Sequence, residues 1–101
     1  PHISNRQISG EIIHIDGFGN LITNISHSHI HDFVSIGQKY HVTVNQLTKP
    51  MKYMKSYGYV SPGELIIIIG SSNYLEVSIN QGNAQKLFNA ARGDPIAITS
   101  K

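Results

Sequence analysis

The chain has 101 residues, 40% hydrophobic and 14% charged, with a net charge of +2 and no cysteine. That length supports one modest core, and low charge with many β-branched residues excludes a disordered chain. The small net charge makes no demand for a polyanionic partner, and the missing cysteines exclude a disulfide framework and a thiolate metal site.

Pro1 to Gln7 is polar and reads as a linker from a missing N-terminal domain, with residues 8–101 forming one domain. Ile8 to Asp16 reads as a strand, with Ile13 and Ile15 on one face and Ile12 and His14 on the other. Asp16-Gly17-Phe18-Gly19-Asn20 is the turn of a hairpin whose partner is Leu21 to Ile25. Gly17 and Gly19 permit positive φ there. Ser26 to Asp32 is a polar, histidine-rich loop, and Phe33 to Gly37 is ambiguous. Lys39 to Val44 alternates, with Tyr40, Val42 and Val44 on one side. Asn45 to Pro50 is expected to be a loop, and Met51 to Tyr57 a strand with Tyr53 and Tyr57 on one face. Glu64 to Ile69 is apolar throughout, which predicts a strand covered on both faces. Ser72-Asn73 fits a two-residue turn. Tyr74 to Ile79 returns with Leu75, Val77 and Ile79 inward. Asn83 caps a helix expected over Ala84 to Ala91, closed by Gly93 and Pro95. Ile96 to Thr99 is the last strand. The count predicts a mostly all-β fold: a small antiparallel, Greek-key-like barrel of about seven strands, with one short helix near the C-terminus.

The turn at Asp16–Asn20 carries more chemistry than a turn needs. A carboxylate can hold an ammonium, and the carboxamides of Asn20 and Asn24 can pair with the edge of a purine. The ordinary alternative is that Asp16 and Asn20 bond their own backbone. Gly17-x-Gly19 is not a dinucleotide fingerprint, because a strand follows and the third glycine is missing.

Asp16-x-Phe18-Gly19-Asn20-x-x-Thr23-Asn24 follows Gly10-Glu11-Ile12-Ile13-x-Ile15. Downstream stand Tyr57, Pro62-Gly63-Glu64-Leu65, Ser71-Ser72-Asn73-Tyr74-Leu75-Glu76-Val77 and Asn80-Gln81-Gly82-Asn83-Ala84. In order and spacing, these motifs resemble the C-terminal domain of the fluorinase and S-adenosylmethionine hydroxide adenosyltransferase family, over nearly the whole chain. The resemblance implies a small antiparallel barrel, in agreement with the strand count. It also implies that the intact enzyme converts S-adenosylmethionine and water to adenosine and L-methionine, without a cofactor.

By that resemblance, Asp16 holds the ammonium of the methionine moiety, Asn20 reads the adenine edge and Phe18 lines the base pocket. Tyr57 stacks on adenine, with Tyr59 as the substitute if the register differs. Ser71 and the backbone N–H of Ser72 bind the methionine carboxylate. Asn80 and Gln81 enter the adenine pocket through backbone groups. Halide-using members carry Arg where this chain has Ser72, and one more residue between the positions of Asp16 and Phe18. This chain is therefore more similar to the hydroxide-using branch. The family's water-activating groups sit in the N-terminal domain, and its sites form between neighbouring subunits of a homotrimer. An isolated C-terminal domain is then expected to be inactive.

Within the chain itself no catalytic constellation is evident, and no metal is expected. His27, His29 and His31 alternate beside Asp32, but they read as a solvated loop. Lys39, Lys49, Lys52 and Lys55 interleave with Tyr40, Tyr53, Tyr57 and Tyr59, a pattern that suits single-stranded nucleic acid on an OB-like barrel. That stand-alone binding module is the competing reading; a solvated lysine face is the ordinary one, and nucleic acid is not the expected partner. The apolar run Leu65 to Ile69 is too short to cross a membrane, and the cytoplasm is the expected compartment.

Overall fold

A computed structural model describes residues 1–4, 6–56 and 60–100. Among the described residues eight strands and two short helices follow one another: β1 (His2–Ile3), β2 (Gln7–Ile15), β3 (Leu21–Ser26), α1 (His27–Ile30), β4 (Lys39–Val44), β5 (Leu47–Tyr53), β6 (Leu65–Ile69), β7 (Tyr74–Ile79), α2 (Ala84–Phe88) and β8 (Pro95–Thr99). Strands β2-β3-β7-β6-β5-β4-β8 pair in that order, and β8 returns to β2, which closes a seven-strand barrel. Closure leaves no long unpaired edge among the described barrel strands. β1 lies outside the ring, within the stretch expected to be a linker, and pairs with Ile8 and Ser9.

The expected barrel and its helix near the C-terminus are present, with one difference in direction. β5 and β6 run parallel, through Lys52↔Ile66 and Tyr53↔Ile67, so the sheet is mixed. A parallel pair needs a crossover rather than a hairpin between its strands.

The interior is packed by the inward residues of every barrel strand, among them Ile8, Leu21, Val42, Met51, Ile67, Leu75 and Ile98. Ile22, Ile66 and Ile68 are also buried but stand outside that cluster. β6 is therefore covered on both faces, as its unbroken apolar run predicts. Leu75 and Val77 face inward without exposure, and Ile79 packs against the same core.

Several local expectations are corrected. In β2 the register against β3 shifts between Ile12 and His14. This bulge inserts one residue and reverses the alternation beyond it. Ile12 is buried, while Ile13 and His14 are both exposed and Ile15 is half-buried.

The loop expected over Asn45 to Pro50 shrinks to Asn45–Gln46. Both have positive φ, 52° and 69°, and Val44 pairs with Leu47, which is the two-residue hairpin geometry that matches strand twist. Pro50 suggested a loop. It is tolerated in β5 because pairing with β6 begins only at Lys52. β5 ends at Tyr53 and residues 54–56 are not strand; Tyr57, the expected end, lies outside the described residues. The histidine-rich segment is not all loop: α1 forms one turn, with Ser26 as its Ncap and His29 Nδ1 accepting from Ser26 N at 3.0 Å. α2 ends at Phe88, short of the expected Ala91, because Asn89 takes the left-handed C-cap conformation at φ 50°.

Candidate functional site

The β2–β3 turn is built around one carboxylate. Asp16 Oδ1 accepts from Phe18 N at 2.9 Å and Asn20 N at 3.0 Å, and Oδ2 accepts from Asn20 Nδ2 at 2.9 Å. Gly19 N donates to Asp16 O at 3.0 Å. Burial raises the Asp16 pKa, but the hydrogen bonds from Asn20 and Phe18 and the nearby His14 outweigh it and hold the carboxyl below its ordinary value. The self-bonded turn is thus present in full. It leaves chemistry over: Asn20 Oδ1 accepts from no described residue, and Phe18 at the tip is 80% exposed. Of the two glycines, only Gly19 has positive φ, at 81°; Gly17 does not need it.

Phe18 and Asn20 face a second segment across an open cleft of about 370 Å³, lined also by Ile79, Gln81 and Gly82. Residues some sixty positions apart in sequence meet there, because β3 pairs directly with β7 through Leu21↔Val77 and Ile22↔Glu76. The end of β7 is thereby carried to the β2–β3 turn. Gln81 sits there with φ 57°. Asn80 does not line this cleft. Its Nδ2 donates to Val60 O at 2.9 Å, and its backbone bonds Glu64 O and Gly63 N, so it ties down the turn before β6.

Ser71 and Ser72 lie at the other end of β7, roughly 17 Å away along a six-residue strand. Both are exposed. Their turn is longer than expected: Gly70 N bonds Tyr74 O at 3.0 Å, Asn73 N bonds Gly70 O at 2.9 Å, and Asn73 has φ 69°. The loop is therefore Ser71-Ser72-Asn73, a turn followed by one left-handed residue. Tyr57 and its substitute Tyr59 lie outside the described residues.

Asn24 is corrected. Its Oδ1 accepts from Glu11 N at 2.9 Å, just before the bulge of β2. Thr23, fully buried, donates through Oγ1 to Leu75 O at 2.8 Å and accepts from Ile25 N at 3.1 Å. Thr23 satisfies backbone groups within the β3–β7 register shift between Ile22 and Ser26, and Asn24 satisfies one beyond the last β2–β3 pair, Ile12↔Thr23. The Thr-Asn end of the first motif is thus structural.

Glu76 was not singled out from the sequence for a role at the site. It lies on β7 between the two ends, paired with Ile22 and Ile68, and its carboxylate lies against the bare backbone of Gly70, where a Cβ would collide with it. It takes no hydrogen bond or ion pair from any described residue. Burial raises its pKa, and the negative charge of Asp16 adds to the shift. No sequence signal marked it: Glu76 takes an outward position in an alternating strand, and the buried Ile22 and Ile68 come beside it only through strand pairing.

The remaining candidates disperse. His27 and His31 stack at 5.8 Å and His31 Nδ1 pairs with Asp32 at 3.1 Å. Among the described residues no three acidic or imidazole groups are placed to share a metal. Tyr40 is buried, its hydroxyl accepting from Ser35 N at 2.7 Å, so it offers no ring for stacking nucleic acid. No helix among the described residues is long and apolar enough to cross a membrane.

The family model described as SAM hydroxide adenosyltransferase C-terminal domain matches residues 10–97. An (R)-S-adenosyl-L-methionine hydrolase of Methanocaldococcus jannaschii is 35% identical over 91 residues, covering 86% of this chain and 34% of that protein. One of Thermus thermophilus with the same name is 28% identical over 89 residues, covering 88% and 31%. The fold is similar to a crystal structure of an uncharacterized conserved protein from Thermotoga maritima, with TM-score 0.90 and 30% identity over 96% of this chain and 37% of that one. It is also similar to a conserved hypothetical protein of Thermus thermophilus, with TM-score 0.64, 26% identity, and 89% and 34% covered. The chain spans about a third of the length of these relatives.

Proposed function

The chain belongs to the SAM hydroxide adenosyltransferase C-terminal domain family, and on that premise we propose that it is the substrate-binding domain of an S-adenosylmethionine hydrolase. The relatives that carry the hydrolase name support this. The structural observation that carries it is the cleft where Phe18 and Asn20 meet Gln81. An aromatic ring and an amide whose oxygen accepts from no described residue suit a flat base whose edge presents a donor.

In this reading adenine occupies the cleft. Asn20 Oδ1 accepts from the exocyclic amine, Phe18 covers a face of the base, and backbone groups at Gln81, which lines the cleft where Asn80 does not, complete the edge. Tyr57 adds a stacking ring. The methionine moiety runs along β7, between the Asp16 turn and the Ser71–Ser72 turn. Asp16 takes its ammonium. Ser71 and Ser72 offer a hydroxyl and an N–H to its carboxylate only in a pose that brings both turns to the one carbon carrying the two groups. The carboxylate of Glu76, which no described residue pairs, favours a cation on that path.

The reaction is displacement at C5′. Water, deprotonated by the other domain, attacks C5′ as the C5′–sulfonium bond breaks. The electron pair of that bond stays on sulfur, and methionine leaves neutral at the thioether. The barrel's contribution is to hold C5′ in line, which is worth several kcal/mol when both ends of a substrate are fixed. An N-terminal domain of the same protein, a homotrimeric assembly and a cytoplasmic setting complete the proposal.

Incubating the full-length protein with S-adenosylmethionine and separating the products by chromatography tests it. Equal release of adenosine and methionine is expected from the full-length protein, and none above the buffer rate from residues 1–101 alone. Another product pair, or full activity in the isolated barrel, contradicts the assignment.

A further inference from the structure

The two walls of the cleft come from separate segments, yet they touch at one point behind it. Gly19, between Phe18 and Asn20, is buried, and a Cβ there would collide with the side chain of Asn83. Asn83 follows Gln81 and Gly82, the opposite wall. Gly19 O also accepts from Gln85 N at 2.9 Å, so the first turn of α2 holds the loop by its backbone as well. Asn83 has a second task. Its Oδ1 accepts from Lys86 N at 2.9 Å, which makes it the Ncap of α2.

Capping alone does not require asparagine. Serine, threonine or aspartate serves equally. The seat against Gly19 requires more reach than serine has, and it requires the missing Cβ on the other side. We propose that Asn83 is a positioning residue for the cleft: wedged against Gly19, it sets the spacing between the Phe18–Asn20 wall and the Gln81–Gly82 wall. The ligand it serves is a flat purine nucleoside, and to that extent the inference rests on the adenine reading above. A base that must contact both walls tolerates little change in their separation.

The two tasks of Asn83 can be separated. In the full-length protein, Asn83→Ser keeps a capping oxygen but gives up the wedge. Its thermal midpoint should stay near that of the wild type. Its Kd for adenosine should weaken about fivefold, and hydrogen exchange at the Asn20 amide should quicken with or without ligand. Gly19→Ala approaches the same contact from the opposite side and should also weaken adenosine binding. Adding Asn83→Ser to Gly19→Ala removes the collision and should recover part of the loss, so the two changes are not additive.

Wild-type affinity and wild-type exchange in Asn83→Ser would overturn the proposal while leaving the adenine reading intact. A double variant that binds more weakly than either single one would also overturn it. Wild-type protein that fails to bind adenosine at all would overturn the adenine reading, and this inference with it. Should Asn83→Ser prove unstable, the cap and the wedge are not separable and the proposal fails on its own terms.

Discussion

Asn20 Nδ2 donates to Asp16 Oδ2 at 2.9 Å, so the residue assigned to the base and the residue assigned to the ammonium are not independent. One hydrogen of the amide is committed to the carboxylate. That restrains the rotamer of Asn20, a residue that also lines the cleft.

Removing Asp16 should therefore affect both halves of the substrate. Asp16→Ala deletes the acceptor of three hydrogen bonds. At a half-exposed site this should cost about 1–2 kcal/mol of folding stability, read from urea denaturation. Methionine binding should fall most, but adenosine binding should fall too, because Asn20 loses its anchor. Calorimetry showing unchanged adenosine affinity would mean that Asn20 is positioned by something other than Asp16.

Glu76→Gln should stabilise the ligand-free protein at neutral pH. The raised pKa of Glu76 means that the folded state holds the proton more tightly than the unfolded chain does. Its contribution is present below the unfolded carboxyl value of about 4.3 and is lost as pH rises through the folded value. The variant's advantage should appear above that window and vanish below it, in melts run from about pH 3 to 8. Asp16 has the opposite sign: its lowered pKa gives stability above about 3.9, lost as pH falls through the folded value. The same Glu76→Gln change should weaken S-adenosylmethionine more than adenosine. Equal melting curves at all pH values would show that the carboxylate is not strained.

Thr23→Val keeps the shape of a buried side chain and removes its hydroxyl. Leu75 O and Ile25 N then lose the partner that Oγ1 provides. The cost should be about 1–3 kcal/mol, with no change in ligand preference beyond what stability explains. A neutral substitution would mean that water or a shift in register replaces the hydroxyl.

The barrel was legible because its signals are periodic. Tyr40, Val42 and Val44 alternate, Leu65 to Ile69 do not, and both patterns map onto β4 and β6 as found. What escaped was local: the bulge at Ile13, the positive φ of Gln46, the left-handed Asn89. Each replaces a glycine or a regular register with a residue whose propensity points elsewhere. At the site, the residues at the Asp16–Asn20 turn were legible from their chemistry, and the resemblance supplied their roles. The cap made by Asn83 was legible, but its seat against Gly19 and the partner of Asn24 were not, since an amide's sequence does not say what else it packs against. Glu76 was hidden for a similar reason. Its importance depends on a neighbour, Gly70, brought over it only when β6 and β7 pair.

Competition between adenosine and inosine measures directly whether Asn20 reads the base. Inosine lacks the exocyclic amine that Asn20 Oδ1 would accept from. Wild-type protein should prefer adenosine by about tenfold, near the value of one hydrogen bond in a partly dry site, and Asn20→Ala should bind both nucleosides alike. Equal preference in the wild type and in Asn20→Ala would contradict the adenine reading and leave Asn20 as the residue that orders the Asp16 turn.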